Sequence, residues 1–220
     1  MMAFGLRARR SGLYVDLFLK HYEDDCTRNM STPLIAHLRK QIAVEAKDEA
    51  EILSFFQQRS YRKKESLLIP DTKCKFHFFV QKGCLRMFFL NEKGVEQTVQ
   101  FAIENWWITD YLAFDRQANS GFGIQAVEAS DVLQIEYSNQ EKLFKKFPSF
   151  ERYFRIIYQR AYSASQLRTK YLYELSREQF YHHFNDHFPE FTSRIPQHLL
   201  ASYLNMTPEY LSEIKKKSVT

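Results

Sequence analysis

Gln197-His-Leu-Leu-Ala-Ser-Tyr-Leu-Asn-Met-Thr-Pro-Glu-Tyr-Leu-Ser-Glu-Ile-Lys-Lys216 reads as two short helices joined by a tight turn. Helices that cross at close range need a small residue at the crossing, and Ala201 supplies it. Four residues on, Asn205 stands where the backbone must pass through the left-handed region, which asparagine tolerates best after glycine. Leu200, Leu204, Met206, Leu211 and Ile214 take the interior positions. Thr207 is a good N-cap, and Pro208 has the fixed φ that a first helical position wants. The spacing predicts a helix-turn-helix between about Pro196 and Lys217.

The second helix turns Thr207, Pro208, Glu209, Ser212, Glu213 and Lys216 outward, with no large apolar side chain among them. Such a face suits the major groove, where Glu209 can accept a hydrogen bond from a cytosine amino group. Glu213 is awkward there, because a carboxylate gains nothing from phosphates unless it also meets a donor. Lys215, Lys216 and Lys217 end the helix with cations suited to phosphate contacts, although the helix dipole alone also favours lysine at this end. A plain packing hairpin is the alternative, and spacing by itself does not exclude it.

Upstream, Ser176-Arg-Glu-Gln179 has the form of a capping box and starts a helix with Phe180, Phe184 and Phe188 on one face, ended by Pro189. Before it, Phe150, Phe154, Ile157, Ala161, Ala164, Arg168, Tyr171 and Leu175 are spaced alternately four and three. This heptad seam runs for roughly 39 Å at the rise of an α-helix and predicts a parallel dimer helix. Packing of that helix on its own barrel is the alternative. From Tyr61 to Ile135 the period is two: Lys75-Phe-His-Phe-Phe-Val80, Cys84-Leu-Arg-Met-Phe-Phe-Leu90 and Val95-Glu-Gln-Thr-Val-Gln-Phe101 are short strands punctuated by Gly83 and by Asn91-Glu-Lys-Gly94. Their number and regular spacing predict an antiparallel sandwich, barrel or jelly roll. Thr32 to Phe56 is helical in period. The expected organisation is an extension over residues 1–29, a β-barrel domain over 30–148, a dimerisation helix over 149–175 and a helix-turn-helix domain over 176–220, an α+β fold. Translation begins at either Met1 or Met30.

The chain of 220 residues is 45% hydrophobic and 26% charged, the balance of an ordinary globular protein. A net charge of +5 is a weak sign of a polyanionic partner. Cys26, Cys74 and Cys84 form no CxxC pair, which speaks against a zinc knuckle or a disulfide framework and for a reducing compartment. No apolar run approaches the ~18 residues of a membrane span. With six glycines in all, no glycine-rich phosphate loop and no nucleophile elbow, the sequence argues against an enzyme and suggests no cofactor. His182, His183 and His187 include a pair at i, i+4 without the HExxH glutamate, so a solvated face is expected and no metal site. His77 lacks the H-x-H pattern of a metal-binding cupin barrel. Trp106 and Trp107 either floor a pocket or fill the core.

Barrel, long helix and helix-turn-helix, in that order, resemble the Crp/Fnr family of bacterial transcription regulators. The resemblance runs from about Met30 to Lys217 and is carried by Phe79-Val-Gln-Lys-Gly-Cys-Leu-Arg86, Gln100-Phe-Ala-Ile-Glu-Asn-Trp-Trp-Ile-Thr-Asp110, Ile124-Gln-Ala-Val-Glu128 and Arg194-Ile-Pro-Gln-His-Leu-Leu-Ala-Ser-Tyr-Leu204. It is similar to a short subgroup without an evident C-terminal wing. It implies a cyclic-nucleotide-binding-like barrel of double-stranded β-helix type, a cytoplasmic homodimer, double-stranded operator DNA, RNA polymerase as a further partner of an activator, and an effector pocket near Trp107, Asp110, Ser120 and Gly121. Two departures limit the carry-over. The family's nucleotide binders use Gly-Glu and Arg-Ser/Thr pairs where this chain has Thr109-Asp110 and Ser120-Gly121. Arg116 is out of place, so no guanidinium fork meets a phosphate and tight cyclic AMP binding is not expected. Ser212-Glu213 stands where Ser-Arg is frequent. The lone Cys26 cannot supply the cysteine set of the iron–sulfur branch. The leading reading is a dimeric DNA-binding regulator, open to control by an unidentified effector. The alternatives are a sensing or protein-interaction module of the same fold that has lost DNA binding, and a cupin-like metalloenzyme.

Overall fold

The computed structural model describes residues 32–217; the extension, Cys26 and the choice between Met1 and Met30 lie outside the described residues. The alternating segments are realised as β1 (Gln57–Tyr61), β2 (Ser66–Leu68), β3 (Phe76–Lys82), β4 (Leu85–Leu90), β5 (Glu96–Ala102), β6 (Trp107–Ile108), β7 (Gly123–Ala126) and β8 (Ser130–Glu136). Ahead of them stand α1 (Pro33–Arg39) and α2 (Glu49–Ser54), and α3 (Tyr111–Arg116) interrupts them. All strand pairings are antiparallel, in two sheets of order β1-β8-β3-β6 and β2-β7-β4-β5. The α+β sandwich expected from the sequence is thus borne out.

Period two sorts the strand residues between two cores. Leu68, Phe78, Val80, Leu85, Met87, Ile108, Ile124 and Val132 point between the sheets. Phe79, Leu133 and Ile135 point the other way, and meet Leu34, Ile35 and Leu38 of α1. The β3–β4 turn requires glycine: Gly83 has φ +98°, and a Cβ there would lie 2.7 Å from the Ala129 carbonyl oxygen.

After β8 come α4 (Tyr137–Lys146) and the 26-residue α5 (Ser149–Glu174). Phe150, Tyr153, Phe154 and Ile157 of α5 are buried in the core that also holds Phe79 and Trp107. A buried hydrogen-bond chain pins this junction: Trp107 Nε1 donates to the Tyr153 hydroxyl at 2.8 Å, and that hydroxyl lies 2.6 Å from His37 Nδ1. Burial, reinforced by Arg160 and Lys40, lowers the His37 pKa to about 4, so the ring is neutral.

The two ends of the heptad seam read from the sequence face inward, while Ala161 and Ala164 at its middle are half-buried and belong to neither core. Phe150, Phe154 and Ile157 serve the chain's own barrel, while Tyr171 and Leu175 pack on the C-terminal helices. The stripe left exposed on α5 is Tyr158, Tyr162, Ser165, Thr169 and Leu172. It has the same four-three spacing, displaced around the helix. The physical reason is local: the barrel offers an apolar sheet face in the same chain, and the larger rings of Phe150 and Phe154 take it.

Candidate nucleic-acid interface

Four helices follow α5: α6 (Arg177–His187), α7 (Pro189–Arg194), α8 (Gln197–Tyr203) and α9 (Pro208–Lys217). Ser176 and Gln179 form a complete capping box at the start of α6. Asn205 takes φ +57° between α8 and α9, and the Met206 N–H closes the turn on the Ala201 carbonyl at 2.9 Å. Ala201 is wholly buried where the helices cross. Leu200, Leu204, Leu211 and Ile214 form the shared core, joined by Phe180 and Phe184 from α6. Thr207 caps α9, its hydroxyl accepting from the Tyr210 N–H at 3.2 Å. Pro208 leads the helix, and its carbonyl accepts from the Gln197 side chain at 3.1 Å.

This framework presents one face of α9. Thr207, Pro208, Glu209, Glu213, Lys216 and Lys217 are exposed, and Ser212 is half-buried at the edge of the face. Lys215 departs from the expected cluster: it is half-buried, with its ammonium 6.0 Å from the centre of the Tyr181 ring. Exposed Tyr210 stands beside the face and was not singled out in the sequence.

Of the four residues expected around an effector, Asp110, Ser120 and Gly121 lie together and Trp107 lies apart. Asp110 caps α3 through Ala113 N–H at 3.2 Å, and its other oxygen accepts from the Ser120 hydroxyl at 2.7 Å. That pair is a closed structural unit, with Ser120 buried. Gly121 is exposed beside it, whereas Trp107 lies with Phe79, Tyr153 and Phe154 in the core beneath α5. Arg116, at the end of α3, points to solvent.

His77 is fully buried, ringed by Trp107 at 4.5 Å, Phe154 at 5.6 Å, Phe114 at 5.7 Å and Tyr158 at 6.2 Å between centroids. Neither ring nitrogen completes a hydrogen bond of ordinary geometry. Burial drives its pKa down to about 3, against a smaller opposing pull from Gln140. His187 Nδ1 lies 2.7 Å from the His183 carbonyl oxygen, and the two rings are 4.2 Å apart. Among the described residues, no three His, Cys, Asp or Glu side chains gather as a metal site, and no helix is long and apolar enough to cross a membrane.

The helix-turn-helix also touches the barrel. Arg194, at the end of α7, donates to both oxygens of Glu104 at 3.0 Å each and reaches Glu128 as well. Burial pushes the Glu104 carboxyl up, but Arg194 and the Gly83 N–H outweigh it and hold the group below the usual carboxylate range. Ser202, near the end of α8, meets the rim of β5, where its hydroxyl accepts from Thr98 N–H at 2.9 Å.

Residues 58–147 match the family described as cyclic nucleotide-binding domain. No curated protein matches the chain in sequence. Among solved structures, a CooA variant from Carboxydothermus hydrogenoformans is similar over 86% of this chain and 84% of its own, at 16% identity and a TM-score of 0.67. The c-di-GMP responsive global regulator CLP of Xanthomonas campestris covers 79% of this chain and 91% of its own, at 15% identity and a TM-score of 0.64. FixK2 from Bradyrhizobium japonicum covers 74% and 83%, at 15% identity and a TM-score of 0.62. Residues 58–147 thus resemble a cyclic nucleotide-binding domain, and the chain shares its fold with these solved structures.

Proposed function

We propose that the chain is a DNA-binding transcription regulator that works as a cytoplasmic homodimer and acts by binding, without catalysis. The observation that carries this is the outward polar face of α9, held by the left-handed turn at Asn205 and the cap at Thr207. In this reading the N-terminal side chains of α9 enter the major groove. Glu209 accepts from an exocyclic amino group, Thr207 and Ser212 flank it, and Lys216 and Lys217 meet phosphates. Pro208 sets the first turn, and Lys215 contributes less, being drawn toward Tyr181.

The exposed α5 stripe Tyr158, Tyr162, Ser165, Thr169 and Leu172 is the surface suited to a second copy. Beside it a groove of about 500 Å³ is lined by Phe144, Phe154, Tyr158 and Tyr162. An effector, where one acts, must bind two arrangements of the helices with different affinity. RNA polymerase is a further partner if the regulator activates.

Two exposed carboxylates on the reading face, Glu209 and Glu213, favour a second reading: an interaction module of the same fold without DNA binding. Selection of duplexes from a random pool, followed by titration against salt, separates the two. A regulator enriches a two-part site and loses affinity steeply as salt rises, and Lys216→Ala with Lys217→Ala flattens the slope by roughly one unit per lost phosphate contact. No enrichment, or affinity indifferent to salt, would leave the interaction module standing.

A further inference from the structure

We infer that Arg194 and Ser202 are positioning residues for DNA recognition: they fasten the helix-turn-helix to the rim of its own barrel and thereby set which half-site spacing a dimer can read. This rests on the DNA-binding reading above and adds the parts that keep the reading head still.

β5 is an outer strand of its sheet, so its free side carries backbone groups without a strand neighbour. α8 lies against that side. The Ser202 hydroxyl accepts from Thr98 N–H at 2.9 Å and donates to the Glu96 carbonyl at 3.2 Å, while the Ser202 carbonyl accepts from the Gln97 side-chain amide. One small residue thus occupies three edge groups of the barrel. The second fastening is the Arg194 fork on Glu104, with Glu128 beside it. Glu104 is itself braced by Gly83 N–H at 2.8 Å, so the fork closes on a group fixed to the β3–β4 turn. Between the two fastenings Phe101 of β5 meets Phe191 edge-on at 5.5 Å and Tyr203 at 5.4 Å.

A third hold ties the same point to the long helix. Arg168 of α5 donates to the Tyr203 carbonyl at 2.9 Å, and its guanidinium stands 4.7 Å from the centre of the Tyr203 ring. Residues 202 and 203 are therefore gripped from the sheet and from α5 together, immediately before the Asn205 turn. α9 shares one core with α8 and moves with it.

None of these residues lies on α9, and the core of the helix-turn-helix closes without Arg194 or the Ser202 hydroxyl. Their contacts fix orientation. Orientation decides affinity for a two-part site, because half-sites lie about one helical turn apart and a head already in place pays no ordering cost on binding.

The test uses the full chain as wild type, Arg194→Ala, Arg194→Lys and Ser202→Ala. Fluorescence anisotropy compares a duplex carrying one half-site from the selection with palindromes whose spacing is varied in single base pairs. Amide exchange at Thr98 is followed in the same proteins. The expected result is unchanged half-site affinity, a loss of about tenfold on the preferred palindrome for both alanine variants, and tolerance of spacings that the wild type rejects. Arg194→Lys, which keeps the charge and loses the fork, should fall between. Thr98 exchange should accelerate in both alanine variants. An unchanged spacing profile beside faster exchange would reduce the contacts to simple packing and overturn the inference. So would tighter binding by the variants, an equal loss on the half-site, or Thr98 exchange that does not move. If the wild type binds no duplex, the inference falls with the DNA-binding reading, and persistent Thr98 protection would place the fault in that reading rather than in the fastening.

Discussion

The turn of the helix-turn-helix passes through one strained dihedral, at Asn205. At φ +57° a side chain with a Cβ is strained, and asparagine is among the few that bear it. Asn205→Ala should destabilise the C-terminal helices by about 1 kcal/mol, and Asn205→Gly should hold or slightly raise stability, both read by thermal unfolding of the full chain. Equal loss in both variants would mean that the asparagine side chain, and not the backbone, matters. Ala201, Asn205 and Thr207 were legible in the sequence because their roles are local: crossing, turn and cap lie within a few residues of one another. Arg194 and Ser202 were not legible as fastenings, although both stand in segments that carried the family resemblance. Their partners lie 90 and 104 residues away, and nothing in a serine or arginine on a short helix announces a distant sheet edge.

At the scale of the element, α5 shows how far periodicity reaches. The four-three spacing correctly announced a long helix, and its length follows the expected span closely. It did not say which of two adjacent stripes would be taken by the chain itself. Phe150, Phe154 and Ile157 are claimed by the barrel, which leaves Tyr158, Tyr162 and Leu172 outward. Tyr162 is 67% exposed, so a charge placed there leaves the single chain's packing intact. If the proposed homodimer uses this stripe, Tyr162→Glu should shift it to monomer in sedimentation velocity and weaken binding to a palindrome, with the melting of the barrel unchanged. A dimer that survives this substitution would place the subunit contact elsewhere.

For the whole molecule, two neutral histidines make stability depend on acid. The folded-state pKa values of about 4 for His37 and about 3 for His77 lie below the unfolded value, both because burial disfavours the charged ring. The unfolded chain therefore takes up protons first as pH falls through about 6.5. Stability is full above that pH and declines toward pH 4, with a slope that approaches 1.4 kcal/mol per pH unit for each group. His77→Leu removes a ring whose nitrogens lack ordinary hydrogen bonds, so it should keep stability at pH 7 and make the acid slope shallower in urea titrations at several pH values. An acid slope equal to that of the wild type would show that His77 takes no part.

The family match over residues 58–147 sharpens a separate expectation. Asp110 spends its oxygens on Ser120 and the start of α3, and Arg116 faces solvent, so no guanidinium fork meets a nucleotide phosphate there. Calorimetry should find no cyclic AMP binding at or below about 1 μM, and a saturable isotherm in that range would overturn this.

The contact of α8 with β5 has one more consequence. A barrel cut free of its head would bare a ribbon of unanswered amides and carbonyls beside Phe101, the kind of border along which strands from separate molecules join. The C-terminal helices then do more than present the face proposed for DNA. They also act as a hem that keeps neighbouring copies from being stitched together, so losing them would cost solubility as well as recognition.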